Sequence, residues 1–188
     1  MPSGPSHDPE NPPPTRPSDV YAALNQRGVR YVTIGGVAVQ AHGHTRTTAD
    51  VDLLVEGSAD NLAALGAALG DLGAELSGVD AHLLGIDVTD AKALRDGANF
   101  TLLTRAGPLD LWTDWRELPG SPPWEELDQR ALTVHAAGVP IRVVSFDDLI
   151  RLKRAAAGLA NRPERKREED LDDIAALTAI LEERRHEG

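Results

Sequence analysis

The sequence predicts an α/β fold of the α+β kind: a small mixed sheet flanked by helices, with further helices at the C-terminal end. Three observations predict it. Short apolar runs of strand length recur at residues 30 to 34, 50 to 55 and within 99 to 112, segments with helical leucine spacing separate them, and the pattern becomes wholly helical from Ser145 onward. A chain of 188 residues suits one domain with a real core.

Each element has its own signal. Residues 1 to 17 are rich in proline, with Pro12, Pro13 and Pro14 in succession, and read as a disordered tail that buries too little apolar surface to order itself. Ser18 is the expected cap of a helix through "DVYAALNQRG", which Gly28 stops. Residues 30 to 34 read as a buried strand, "GGVAVQAHG" as a sharp turn into a short helix, and 50 to 55 as a second strand. "SADNLAALGAALGDLGAEL" is helical, capped by Ser58 or Asp60, with Leu62, Leu65, Leu69 and Leu72 on one stripe. "NFTLLTRAGPLDLW" reads as two strands about a Gly-Pro turn, and 131 to 136 with 139 to 144 as a further short pair. Ser145 caps a helix whose first turn is acidic and whose later turns are basic, and "REEDLDDIAALTAILEERR" forms the last helix. The resulting division is tail 1–17, core 18–144 and a helical segment 145–188 packed on the core.

Composition narrows the chemistry. The chain has no cysteine, so a disulfide framework and a thiolate metal site are both excluded, and the composition suits the cytoplasm. No run of about 18 apolar residues exists, so a membrane span is not expected. The net charge of −11 argues against general coating of a nucleic-acid duplex. A local basic patch remains compatible, and Arg151, Lys153, Arg154, Arg162, Arg165, Lys166 and Arg167 form one.

The stretch "YVTIGGVAVQAHGHTRTTADVDLLVE" carries the chemistry. Aspartate is disfavoured in strands, yet Asp50 and Asp52 sit in an apolar run, two residues apart and therefore on one face about 6.6 Å apart at the backbone. Such a pair raises the proton affinity of one member unless a cation lies between them. Asp110, in the apolar "LDLW", is the favoured third carboxylate, with Asp87 in "GIDVTD" as its rival. With oxygen donors alone, this set describes a hard-cation site suited to Mg²⁺, which shares its coordination with substrate phosphates. Gly35 and Gly36 permit the sharp turn and let backbone N–H groups approach a phosphate. His42 and His44 read first as structural, Arg46 as an orienter of the acids or a phosphate ligand, and Trp112, Trp115 and Trp124 as packing residues.

These residues resemble the DNA polymerase beta-like nucleotidyltransferase superfamily, whose motif is a Gly-Gly or Gly-Ser turn, a short helix and a strand with alternating aspartates. The likeness is strongest to the small AbiEii-type and MNT-type members, many of them toxins of toxin-antitoxin pairs, in which an Arg and a Thr or Ser precede the acids as Arg46 and Thr48 do here. It spans roughly residues 20 to 177, and its closing segment places Lys153 toward the triphosphate. Gly36 stands where the Gly-Ser version has its serine, and "LANRPERKREED" is longer than expected, leaving Arg162 and Arg167 as rivals for one arginine position.

The resemblance implies a Mg²⁺-dependent transfer of an NMP from an NTP to an acceptor hydroxyl, with pyrophosphate released. It implies Asp50, Asp52 and Asp110 as catalytic metal ligands, and Gly35, Gly36, Arg46, Thr48 and Lys153 as nucleotide contacts. The implied acceptor is RNA, at the 3′ end of tRNA, with a cognate antitoxin as protein partner. Two alternatives stand beside it: an antibiotic adenylyltransferase of the aminoglycoside or lincosamide type, and a non-catalytic nucleotide-binding or partner-binding module.

Overall fold

The apolar runs form a seven-stranded sheet whose order places the two aspartate-bearing strands side by side at its centre. The computed structural model describes residues 15–78, 83–97, 99–115 and 120–187. In chain order the elements are α1 (Pro17–Gln26), β1 (Tyr31–Ile34), α2 (Gly35–Ala41), β2 (Val51–Val55), α3 (Ala59–Leu72), β3 (Glu75–Leu76) and α4 (Ala91–Asp96). They continue with β4 (Asn99–Thr104), β5 (Gly107–Trp112), α5 (Trp124–Arg130), β6 (Leu132–Ala136), β7 (Val139–Val143), α6 (Phe146–Ala157) and α7 (Glu164–Glu187). The strand order is β3-β4-β5-β2-β1-β7-β6. The sheet is mixed: β2 runs parallel to β5 and β1 to β7, while the other neighbours are antiparallel.

Alternation along these strands gives the sheet two different faces. Tyr31, Val51, Leu53, Val55, Leu109 and Leu111 are buried among the core residues, together with Val20, Tyr21 and Leu24 of α1 and Leu62, Leu65, Leu69 and Leu72 of α3. The leucine stripe of α3 is therefore its buried side, and Ser58 caps the helix by accepting from the N–H of Asn61 at 3.4 Å. Asp52 and Asp110 alternate with those core positions and point to the opposite face. Among the described residues, no helix is long and apolar enough to cross a membrane.

Several local expectations need correction. Helix α1 begins at Pro17 with Arg16 as its cap, and Ser18 makes no cap bond, because proline at the first position presets the helical φ. Of the expected disordered tail, residues 1 to 14 lie outside the described residues. Thr15 and Arg16 are tied down: the Thr15 hydroxyl donates to the Ala49 carbonyl, and the Arg16 N–H to the Ala106 carbonyl at 2.7 Å. The turn between β4 and β5 is formed by Arg105 and Ala106, since Gly107 and Pro108 already pair with Thr104 and Leu103. The Thr104 hydroxyl closes it, donating to the Gly107 carbonyl at 2.8 Å and accepting from the Ala106 N–H at 3.0 Å. The short elements β3, α4 and α5 are not expected from the sequence, and Glu75 and Leu76, read as the end of a helix, form β3 because Gly73, with φ +58°, stops α3 at Leu72. All three elements are too brief to show a period.

Candidate active site

Asp50 is not in the strand that was expected to hold it. β2 begins at Val51, and Asp50 occupies the bend before it. The Thr48 hydroxyl sets this bend, lying 3.1 Å from Asp50 Oδ1 and 3.2 Å from the Asp50 carbonyl, a local side-chain bond that competes with strand pairing. Asp52 lies within β2, with Asp110 of β5 as its register partner on one side and Ile34 of β1 on the other. Asp50, Asp52 and Asp110 each offer a carboxylate oxygen, and these oxygens lie within 4.8 Å of one another.

Ile34 leads directly into the Gly35 turn, which is how β1 brings the two glycines over the aspartates. Gly35 has φ +62°, and a Cβ built there would stand 1.8 Å from Asp52 Oδ2. At Gly36 the corresponding atom would meet Thr48 Oγ1 at 2.4 Å. Both positions are held to glycine by contact with the site itself.

Electrostatics follow from the crowding. Burial first, and then the charges of Asp50 and Asp110, push the Asp52 carboxyl up to about 7, against the opposing pull of Lys166 and Lys153. Asp110 is also raised, chiefly by burial, while a hydrogen bond from Thr101 works the other way. Three carboxylates so placed, with no soft donor, suit a hard divalent cation. A cation must displace the Asp52 proton, so its binding should strengthen as pH rises through about 7. The expected result is a Mg²⁺-induced rise in Tm that is larger at pH 8 than at pH 6, measured by thermal melts with and without the ion; equal shifts would contradict it.

A cationic wall is held in place by acids of α7. A cleft of about 180 Å³ contains Gly35, Gly36, the three aspartates, Arg46, Lys153, Arg162 and Lys166. Lys153 Nζ lies 3.1 Å from Asp170 Oδ1 and 2.7 Å from Asp173 Oδ2. Arg46 reaches Asp173 at 2.6 Å and Arg162 reaches Asp170 at 2.6 Å. The two aspartates are only 6% and 4% exposed, so this is a buried ion network. Removing one buried partner leaves an uncompensated charge, at a cost of about 3–5 kcal/mol. Lys153→Met should therefore lower stability on that scale, measured by urea denaturation, and a change below about 1 kcal/mol would contradict a load on this ion network.

Other sequence candidates separate clearly. Asp87 stays outside the cluster, exposed, with its Oδ1 accepting from the Thr89 N–H at 2.9 Å and hydroxyl at 2.6 Å. His42 is buried behind the site with its Nε2 2.8 Å from the Val144 carbonyl, and burial holds its pKa down. His44 is half-buried and does not line the cleft. Trp112 lines the cleft, whereas Trp115 and Trp124 pack edge to face at 6.0 Å. Of the rival arginines, Arg162 faces the cleft and Arg167 donates to the Leu159 carbonyl at 2.9 Å. Sequence reasoning missed Asp170 and Asp173 as parts of the site. Their spacing of three on a helix from Asp170, with Lys166 one turn earlier, is the signal that could have found them.

No protein-family model matches the chain, and no curated protein matches it in sequence. Solved structures do. The solution structure of the antibiotic-resistance factor ANT(2'')-Ia aligns with a TM-score of 0.50 at 20% identity, over 89% of this chain and 90% of that one. The crystal structure of an antigenic nucleotidyltransferase-like protein from Paracoccidioides brasiliensis aligns with a TM-score of 0.51 at 18% identity, over 89% of this chain and 78% of that one. Identities this low speak to architecture, and on that ground the chain has the nucleotidyltransferase fold.

Proposed function

We propose that the chain is a Mg²⁺-dependent nucleotidyltransferase that moves an NMP from an NTP to an acceptor hydroxyl. The observation that carries the proposal is the meeting of three aspartate oxygens within 4.8 Å, directly beneath a turn whose glycine has no room for a side chain. Asp50, Asp52 and Asp110 would hold the divalent ion, which supplies charge neutralisation on the phosphates. Asp110 also takes the proton from the acceptor hydroxyl, whose oxygen attacks the α-phosphorus in line. The bond to the β-phosphate oxygen breaks, and pyrophosphate leaves. Gly35 and Gly36 let the turn approach the Asp52 and Thr48 side chains closely, and because both glycines line the cleft the leaving phosphates would lie against their backbone. Thr48 orients Asp50, and Arg46 and Lys153 complete the positive wall.

For the acceptor, we propose RNA at the 3′ end of tRNA, with the protein acting in the cytoplasm as an AbiEii-type or MNT-type toxin restrained by a cognate antitoxin. The sequence resemblance supports this reading. The basic segment supports it less than its composition suggests, because Arg162 and Arg165 are paired with acids of α7. A second reading, an antibiotic adenylyltransferase of the aminoglycoside type, is favoured by the shared fold and nearly equal span with ANT(2'')-Ia. Incubation with each α-labelled NTP, Mg²⁺ and either total RNA, lysate protein or a panel of aminoglycosides separates the two. Label on RNA is the expected result; label on the drugs alone establishes the second reading, and no labelled species with any acceptor contradicts both.

A further inference from the structure

An NTP entering the cleft carries more negative charge than one or two divalent ions centred on the aspartates neutralise at its outer phosphates, so a side-chain cation must meet it there. Among the described residues, four cations line the cleft: Arg46, Lys153, Arg162 and Lys166. Three of them are committed. Arg46 is held at 2.6 Å by Asp173, Lys153 sits between Asp170 at 3.1 Å and Asp173 at 2.7 Å, and Arg162 is held at 2.6 Å by Asp170. Withdrawing any of these would strip a buried carboxylate of a partner, which is strongly unfavourable.

Lys166 differs in both respects. Its ammonium is 3.8 Å from Glu169 Oε2, beyond hydrogen-bond distance, and its side chain is 45% exposed. Glu169 already has another partner, with Arg165 at 3.3 Å from its Oε1. An exposed, loosely made pair of this kind is worth little and is easily given up. The position is also specific. Lys166, Asp170 and Asp173 stand at helical spacings of four and three along α7, so they share one stripe. The network that fastens Asp170 and Asp173 to Arg46, Lys153 and Arg162 therefore also aims Lys166 into the cleft.

We infer that Lys166, rather than Lys153, is the side chain that contacts the β- and γ-phosphates of the bound nucleotide, while Lys153 holds α7 in place. The inference rests on the nucleotidyl-transfer reading and names a binding residue for it. Lys153 was the residue expected at the triphosphate. Among the described residues, that ammonium has two buried carboxylates and Lys166 none within hydrogen-bond reach.

The test is calorimetric titration of the full chain, with Mg²⁺ present, using ATP, CTP, GTP and UTP and the four corresponding monophosphates. For the nucleotide that binds, Lys166→Ala should weaken triphosphate affinity by about tenfold or more, the scale of one lost charge-assisted contact. Monophosphate affinity should change less than about twofold, Tm should stay within about 2 °C, and Lys166→Arg should restore most of the triphosphate affinity. Triphosphate affinity unchanged in Lys166→Ala, or falling in parallel with monophosphate affinity, overturns the inference alone. If the unaltered protein binds none of the triphosphates, the nucleotidyl-transfer reading falls and this inference with it.

Discussion

Asp50→Asn and Asp52→Asn are each expected to lower nucleotide transfer by roughly 10³-fold or more while leaving the fold intact. Each change is isosteric and removes one negative charge from a set of three carboxylates whose oxygens lie within 4.8 Å. An amide still offers an oxygen, but it brings no charge to hold the cation or to offset it. The two variants should differ in stability. In the ion-free protein, the Asp52 carboxyl is held at about 7, above its ordinary value of 3.8, chiefly by burial and then by its two acidic neighbours. A folded state that keeps a proton the unfolded chain has lost becomes less stable as pH rises from about 4 to about 7. Asp52→Asn removes that loss. It should be more stable than the unaltered protein at pH 8 in the presence of a chelator, by about 1–3 kcal/mol. Thermal and urea melts across pH check the sign, and an Asp52→Asn variant that is less stable at pH 8 would show that the aspartate supports the fold and not the chemistry.

Gly35→Ala is the second substitution with a large expected effect, and it acts through geometry alone. The residue has φ +62°, a region that costs an L side chain about 1–2 kcal/mol. The added Cβ would also fall 1.8, 2.4 and 2.8 Å from Asp52 Oδ2, Cγ and Cβ, so the aspartate or the turn must move. Together these should destabilise the protein by about 3–4 kcal/mol and displace Asp52 enough to cost about 10²-fold in transfer. Placing Gly35→Ala in an Asp52→Ala background removes the two closest contacts. Urea denaturation of the four proteins in this cycle should then give a coupling of about 1 kcal/mol or more, and strict additivity would show that Gly35 and Asp52 do not share the space assigned to them.

The centre of the fold was legible because its constraints are local. The Gly35-Gly36 turn and the alternation of Asp52 within β2 lie inside 18 consecutive residues, and each follows from backbone sterics or side-chain period, whereas the Thr48 side-chain bond that takes Asp50 out of the strand did not show in that period. Asp110 was legible by its apolar neighbours, and the pairing of β5 with β2 sets it in register beside Asp52. What sequence left hidden is long-range. The pairing of Arg46 with Asp173 joins residues 127 apart, and nothing in either neighbourhood specifies the other. Lys153 was visible as a cation near the C-terminal helices, yet the two carboxylates that occupy it become visible only once α6 and α7 pack together. The basic run from Arg151 to Arg167 looked like one patch in sequence. Helical geometry splits it: Arg162 and Lys166 line the cleft with Lys153, Arg165 lies exposed beside Glu169, and Arg167 caps a loop carbonyl. The β4–β5 turn was misplaced by two residues because the Thr104 hydroxyl, a weaker sequence signal than Gly-Pro, closes it.

In the proposed mechanism three aspartates direct attack at the α-phosphorus, and the most direct measurement follows the two ends of the triphosphate separately. The unaltered chain and its Asp50→Asn and Asp52→Asn variants are incubated with Mg²⁺ and the same NTP labelled at either the α- or the γ-phosphate, with the acceptor that takes label. The expected result is that α-label moves to the acceptor, that γ-label appears only in pyrophosphate, and that both signals vanish in the variants and with chelator. Transfer of γ-label to the acceptor, or α-transfer that survives loss of either aspartate, would contradict it.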